Sequence, residues 1–166
     1  MIIREEKVSD FAAIAAVTEA AFRDHPISQH TEQFIVNALR EAHALTISLV
    51  AEMDGQVVGH VAFSPVTISD GSQDWYGLGA VSVLPKVQRR GIGQSLIRQG
   101  LSLLQAMGGK GCVLVGDPYY YERLGFKNIP SLVHEGIPQE VFLALPFTDE
   151  VPHGTVVFHP GFSATG

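Results

Sequence analysis

The chain holds a single cysteine, Cys112, and no lysine- or arginine-rich run. One thiol excludes an intrachain disulfide and a cysteine zinc cage, so no metal site is expected. No stretch approaches the ~20 consecutive apolar residues of a membrane span, which excludes a membrane role. The first residues, MIIREEKVSD, lack the apolar core of an export signal, so a cytoplasmic location is expected. Charged side chains make up only 17% of the chain, and its net charge of −6 is spread along it. A broad phosphate-facing surface is therefore excluded, and nucleic acid with it.

What is present points to a packed domain. A 46% hydrophobic composition supplies ample apolar surface to offset the cost of ordering. A chain of 166 residues is read as one domain, 1–166, burying about two-thirds of its unfolded surface. Lys86, Arg89, Arg90 and Arg98 cluster in an otherwise acidic chain, which suggests a small anionic ligand.

Periodicity sets out the elements in order. Ile2 to Glu6 reads as a strand, and Ser9 or Asp10 caps a helix to Phe22 with Phe11, Ile14, Ala15, Thr18, Ala21 and Phe22 on one face. Asp24-His25-Pro26 breaks it, and a loop from Asp24 to His30 is expected to lie over a ligand cleft. Thr31 to Ala42 repeats Phe34, Ile35, Ala38 and Leu39 at helical spacing. Ile47 to Met53 and Gln56 to Ile68 form a hairpin around Asp54-Gly55. Asp74 to Leu84 follows too closely for a crossover helix, so it pairs antiparallel. A helix over Gly91 to Met107 aligns Ile92, Leu96, Gly100, Leu103 and Met107, with Ile97, Leu101 and Leu104 beside them. Cys112 to Val115 then forms a buried strand parallel to the one before the helix. Asp117-Pro118 opens a short tyrosine-rich helix that Gly125 ends. Val141 to Leu145 and Thr155 to Phe158 are the last strands.

The centre of this plan is Leu78 to Gly100, where an apolar strand empties through Gln88-Arg89-Arg90-Gly91-Ile92-Gly93 into a helix start. Free N–H groups and the positive helix end meet there, a ready site for a phosphate. Nothing supplies the Gly-Lys-Ser/Thr of a Walker A loop. A dinucleotide fingerprint would need glycine or alanine where Leu96 stands, and its first glycine directly after the strand. Here Pro85 to Arg90 intervene, although Asp117 does sit where a ribose-binding acid would.

The segment Val83 to Leu96 resembles the acyl-coenzyme A loop, Gln/Arg-x-x-Gly-x-Gly/Ala, of the GCN5-related N-acetyltransferases, the GNAT superfamily. Tyr120-Tyr121-Glu122-Arg123-Leu124-Gly125-Phe126 is similar to that family's Phe-Tyr-Glu-Lys-Leu-Gly-Phe element. Gly116-Asp117-Pro118 and the tail Gly154 to Pro160 look like the bacterial YhbS-like subgroup. The resemblance implies an α/β (α+β) fold with a mixed, mostly antiparallel sheet flanked by helices. It implies direct acetyl transfer from acetyl-CoA, as cosubstrate, to a primary amine on a small molecule or a protein, in a ternary complex. A homodimer is left open. By resemblance, backbone amides from Gln88 to Gln94 (Gln88, Arg89, Arg90, Gly91, Ile92, Gly93, Gln94) bind the pyrophosphate. Val81 and Val83 offer backbone groups to the pantetheine arm, and Tyr121 protonates the leaving thiolate. Relatives carry asparagine and alanine where this chain has Leu114 and Asp117, so those contacts do not transfer.

No motif fixes a general base. Asp74, Glu52, His60, His134 and Glu135 qualify by chemistry, with His60 expected on a half-buried strand face. Cys112 is expected to be a core thiol and not an acyl carrier. A non-catalytic acyl-coenzyme A sensor and a nucleotide-binding module are the competing functions.

Overall fold

The computed structural model describes residues 1–23, 28 and 30–165. The loop expected over 24–30 falls, at 24–27 and 29, outside the described residues. The strands are β1 (Ile2–Glu5), β2 (Ile47–Met53), β3 (Gln56–Ile68), β4 (Trp75–Val83), β5 (Gly111–Val115), β6 (Leu132–Val133), β7 (Phe142–Pro146) and β8 (Gly154–Phe158). The helices are α1 (Phe11–Phe22), α2 (Glu32–Glu41), α3 (Ile92–Ala106) and α4 (Pro118–Glu122). Among the described residues, no helix is long and apolar enough to cross a membrane.

The sheet runs β1-β2-β3-β4-β5-β7, and only the β4–β5 pair in that path is parallel. This is the mixed, mostly antiparallel sheet that the resemblance implied. The far end of β3 leaves β4 and pairs with β8, which in turn pairs with β6. Turn chemistry explains the β2–β3 hairpin: Asp54 and Gly55 both have positive φ, 52° and 78°, as a primed turn requires.

Alternation divides the sheet into two covered faces. Leu49 and Ala51 of β2 point into the cluster of Leu96, Ile97 and Leu104 from α3. Val50 between them points into the opposite cluster, with Ile14 and Val17 of α1 and Val36 of α2. Val17 and Val36 were not on the faces expected from spacing. On α3 the expected Ile92, Leu96, Ile97, Gly100, Leu101 and Leu104 are buried, whereas Met107, expected on the same line, is 56% exposed. Met107 is already the C-cap of the helix, past its last full turn. The two-residue strand β6 carried no periodic signal and was not anticipated.

A buried polar network fixes the entry to α1 and the start of the sheet. Arg4 pairs with both oxygens of Asp10 at 2.7 and 3.0 Å and reaches Glu52 at 3.2 Å. The Asp10 carboxylate also accepts from the Lys7 N–H, and the hydrogen bond from Arg4 is the main cause that holds it down to about 2. Beside it, Arg40 of α2 binds Glu6 in a fork at 2.7 and 2.9 Å, and Ser48 of β2 donates to the same carboxylate. Burial acts to raise Glu6, but the bonds from Arg40 and Ser48 hold it below its usual range.

His60 corrects an expectation. It is fully buried, not half-buried, and its Nε2 lies 2.8 Å from the Ser48 Oγ. Burial lowers its imidazole to about 4; the Glu6 carboxylate opposes this and Arg40 adds to it. Because the folded value lies below the unfolded one, the neutral ring favours folding at pH above the ordinary histidine range of about 6.5. That contribution is lost as pH falls from there toward 4. Denaturant titrations should therefore show stability declining over this window, and His60→Gln should flatten the decline; an unchanged slope would refute the assignment.

Candidate functional site

The site begins where two strands part. β4 and β5 are in register only over Trp75, Tyr76 and Gly77 against Gly111, Cys112 and Val113. Just beyond, the β3–β4 register slips, so that Gly79 and Ala80 together oppose Ala62. Such a bulge bends its strand, and β4 swings away from β5 from this point on. The Leu84 N–H still donates to the Val58 carbonyl at 2.9 Å, on the β3 side. Backbone groups alternate along a strand, so Val83 and Val81 turn theirs to the open edge. The Gln88 side-chain amide covers one of them, donating to the Val83 carbonyl at 2.9 Å.

Past β4, Pro85–Val87 makes one 3-10 turn and the chain doubles back into α3. Arg89 and Gly91 carry the left-handed conformations that make this loop, with φ of 65° and 82°. The first α3 donor with a helical partner is Ser95, whose N–H reaches the Gly91 carbonyl at 3.0 Å. The N–H groups of Ile92, Gly93 and Gln94 have no acceptor within the helix, and the helix dipole points the same way. Gly93 lacks a Cβ where one would stand 2.9 Å from the Tyr120 hydroxyl.

These parts enclose one cleft of about 660 Å³. Val81 and Val83 form one wall, and Gln88, Arg89, Gly91, Ile92, Gly93 and Gln94 form its mouth. Tyr120 and Arg123 of the α4 segment stand opposite, and Ala21 and Phe22 close it from the end of α1. Arg89 and Arg123 form no ion pair among the described residues, so both guanidinium groups are available to an anion. Arg90 is exposed and lies outside the lining.

Tyr121, the tyrosine singled out by resemblance, is not among the residues lining this cleft. Its ring lies over Gly116, in edge contact with Tyr120 at 4.9 Å and Phe126 at 6.0 Å. Its electrostatic neighbours are Tyr120, Cys112 and Asp117, which places it toward the closed end where β4 and β5 join. Burial raises the phenol of Tyr121, with Tyr120 and Cys112 adding, and burial also raises Tyr120. Cys112 is fully buried, and its burial pushes the thiol up, which suits a core residue. Among the described residues, no group of three or more His, Cys, Asp or Glu side chains could hold a metal ion.

Comparison with known proteins decides the family. Residues 2–129 match the model of the acetyltransferase (GNAT) domain. The chain is 37% identical to the N-acetyltransferase YhbS of Escherichia coli over 128 residues, 76% of this chain and 74% of that one. The chain belongs to the GNAT acetyltransferase family.

Two solved GNAT structures have the same fold. A GNAT acetyltransferase of Brucella melitensis, crystallised with acetyl-CoA, is 51% identical, with a TM-score of 0.87 over 98% of this chain and 97% of that one. E. coli YhbS, crystallised with CoA, aligns at 32% identity and a TM-score of 0.89 over 99% and 93%. Within this GNAT domain, sequence reasoning missed Tyr120, Arg123, Ala21 and Phe22. The signal for Tyr120 lay in the run of three tyrosines, but a five-residue helix has too few turns for periodicity to orient it.

Gly91 offers a direct test of the loop. A Cβ there would meet nothing within 4 Å, so substitution tests backbone conformation alone. Gly91→Val should cost about 1–2 kcal/mol through the left-handed φ. A denaturant midpoint identical to that of the parent chain would show that the loop does not hold that conformation.

Proposed function

We propose that this protein transfers the acetyl group of acetyl-CoA to a primary amine, by direct attack of the amine on the thioester. The observation that carries this is the cleft itself. The edge of β4 at Val81 and Val83 leads from a phosphate-sized nest of helix N–H groups toward the Gly79-Ala80 bulge, with Tyr120 in the facing wall. The relatives crystallised with acetyl-CoA and CoA support the same occupant.

The residues fit that cosubstrate. The α3 amides from Ile92 to Gln94, the backbone of the loop from Gln88, and Arg89 would hold the pyrophosphate, where glycine at 91 and 93 permits close approach. Arg90 would add only long-range charge from outside the lining. The open edge at Val81 and Val83 would receive the amide groups of the pantetheine arm in strand fashion. An N–H on this edge would also polarise the thioester carbonyl as negative charge develops on it. The amine attacks, the C–N bond forms, and the C–S bond breaks. Tyr121 would give its proton to the departing thiolate and recover one from the nitrogen, which sheds it to become the amide. A phenol raised by burial stays protonated at neutral pH and can serve as that donor. Tyr120, at the open end beside Gly93, would line the arm and take no part in the proton transfer. The acidic chain suits a cationic amine approaching it.

Calorimetry with acetyl-CoA, CoA and NAD tests the occupant: the two coenzyme A species should bind and NAD should not. Binding of NAD alone would sink the proposal. Thiol release over a panel of amines separates an enzyme from a sensor. Tyr121→Phe should lower kcat by roughly 10²–10⁴-fold with little change in acetyl-CoA affinity, whereas Tyr120→Phe should mainly weaken binding. The reverse pattern would move the acid to Tyr120.

A further inference from the structure

The end of the chain packs onto the β4 bulge. β4 has glycine at 77 and 79, on the face turned away from α3, while Leu78 between them joins the α3 core. Two aromatic rings fill the places their side chains would take. A Cβ on Gly77 would stand 2.6 Å from Phe158 Cε1, and one on Gly79 would stand 2.9 Å from Phe162 Cε2. The two rings meet with centroids 5.0 Å apart, and Phe158 is anchored behind by His134 at 4.9 Å and Phe142 at 6.5 Å. A 3-10 turn, Pro160–Ser163, carries Phe162 into place. Its Gly161 N–H donates to His159 Nδ1 at 3.0 Å, and the Phe162 N–H donates to the His159 carbonyl at 3.0 Å. A Cβ on Gly161 would stand 3.0 Å from Leu39 of α2, so the turn is wedged between α2 and the bulge.

The direction of attack gives this wall its meaning. A carbonyl oxygen that accepts an N–H takes the hydrogen near the plane of its C=O group. Strand N–H groups lie in the plane of the sheet, so a thioester held on the β4 edge lies close to that plane. An amine reaches a carbonyl carbon from above or below its plane. Toward α3 that approach is filled, because Tyr120 and Tyr121 pack there on the core. On the other face Gly79 has no side chain, and the tip of the Phe162 ring stands beside it. The cleft reaches this side, since Ala21 and Phe22 of α1 line it. Gly79, Ala80, Phe158 and Phe162 are only half-buried, whereas Gly77, Leu78 and Ser82 around them are buried. Neither β4 nor the chain from Val151 to Thr165 contains an aspartate, glutamate, lysine or arginine. Such a surface gains by covering apolar area and offers no partner to a second ammonium, which would lose hydration against it.

We propose that Phe162, backed by Phe158, is the wall on which the acceptor lies, and that the acceptor is a monoamine on an apolar, ring-bearing arm. A polyamine or a lysine-rich peptide is disfavoured by the same wall. This rests on the acetyl-transfer reading. Phe162 selects through contact with the arm and takes no part in bond making or proton transfer. The acidic chain draws the single ammonium from a distance; the contact surface then favours the uncharged remainder of the molecule.

Thiol release at saturating acetyl-CoA reads the selection directly. In the parent chain kcat/KM for phenylethylamine should exceed that for spermidine and for Nα-acetyl-lysine by about tenfold or more. Phe162→Ala should raise the phenylethylamine KM by about tenfold and lower its advantage over spermidine, with calorimetric acetyl-CoA affinity unchanged. Phe162→Leu keeps apolar bulk at the wall and should stay within about threefold of the parent chain. A purely structural role for the ring would instead lower turnover of all three amines together and leave their ratios unchanged. That outcome, or a parent chain that prefers spermidine or Nα-acetyl-lysine, would overturn the proposal. Amide NMR spectra of the CoA complex supply a readout independent of turnover. Millimolar phenylethylamine should shift the Gly79 and Phe162 resonances and spermidine should not; no shift with phenylethylamine would also overturn the proposal. Failure of acetyl-CoA to bind the parent chain would instead remove the underlying reading.

Discussion

Hydrogen bonding between β4 and β5 stops after three residue pairs, and most of the site follows from where it stops. A sheet that continued to pair would have no edge in its interior and no room for a ligand. The bulge opposite Ala62 ends the pairing without unfolding either strand, because β4 stays bonded to β3 through Leu84 and β5 to β7 along its length. The exposed edge is thus held rigid from both outer sides. An unpaired edge inside a protein is a template for any extended group carrying amides. On the proposed function, the pantetheine arm is that group.

Everything else at the site is placed by short connections to these two strands. The loop after β4 must reverse within a few residues, and Arg89 and Gly91 accept the left-handed conformations that allow it. This delivers the start of α3, with its unbonded amides, to the mouth of the cleft. The turn after β5 is shorter still: Asp117 caps α4 by accepting from the Tyr119 N–H at 3.0 Å, and Pro118 starts the helix at once. The shortness of Gly116-Asp117-Pro118 is what brings both tyrosines back over the sheet. Arg89 and Arg123, from the two connections, add positive charge where an otherwise acidic chain needs it for an anionic ligand.

Local sequence made the elements legible because each connection carries its own chemistry. Asp54-Gly55, Asp117-Pro118 and the glycines after α3 mark boundaries that the structure keeps within one or two residues. The phosphate nest was legible for the same reason, since glycines, a helix start and a strand lie together in the chain. What resisted reading is set by neighbours distant in sequence. Which of Tyr120 and Tyr121 faces the cleft depends on the packing of α4 against Gly93, Gly116 and Phe126. Val17 and Val36 are buried because α1 and α2 pack on each other as well as on the sheet, which no single-helix spacing contains. His60 looked like one polar residue in an alternating strand; its partners come from β2, the residue after β1 and α2.

The alternation of β4 has a further physical consequence. Its odd-numbered residues near the cleft, Val81 and Val83, face the α3 side, where apolar walls and helix amides suit a long anionic donor. The residue between them, Ser82, faces the α1 side, where the unpaired atoms are polar and the nearby charges are already matched in pairs. One strand therefore presents an apolar face toward α3 and the donor and, at Ser82, a polar face toward α1.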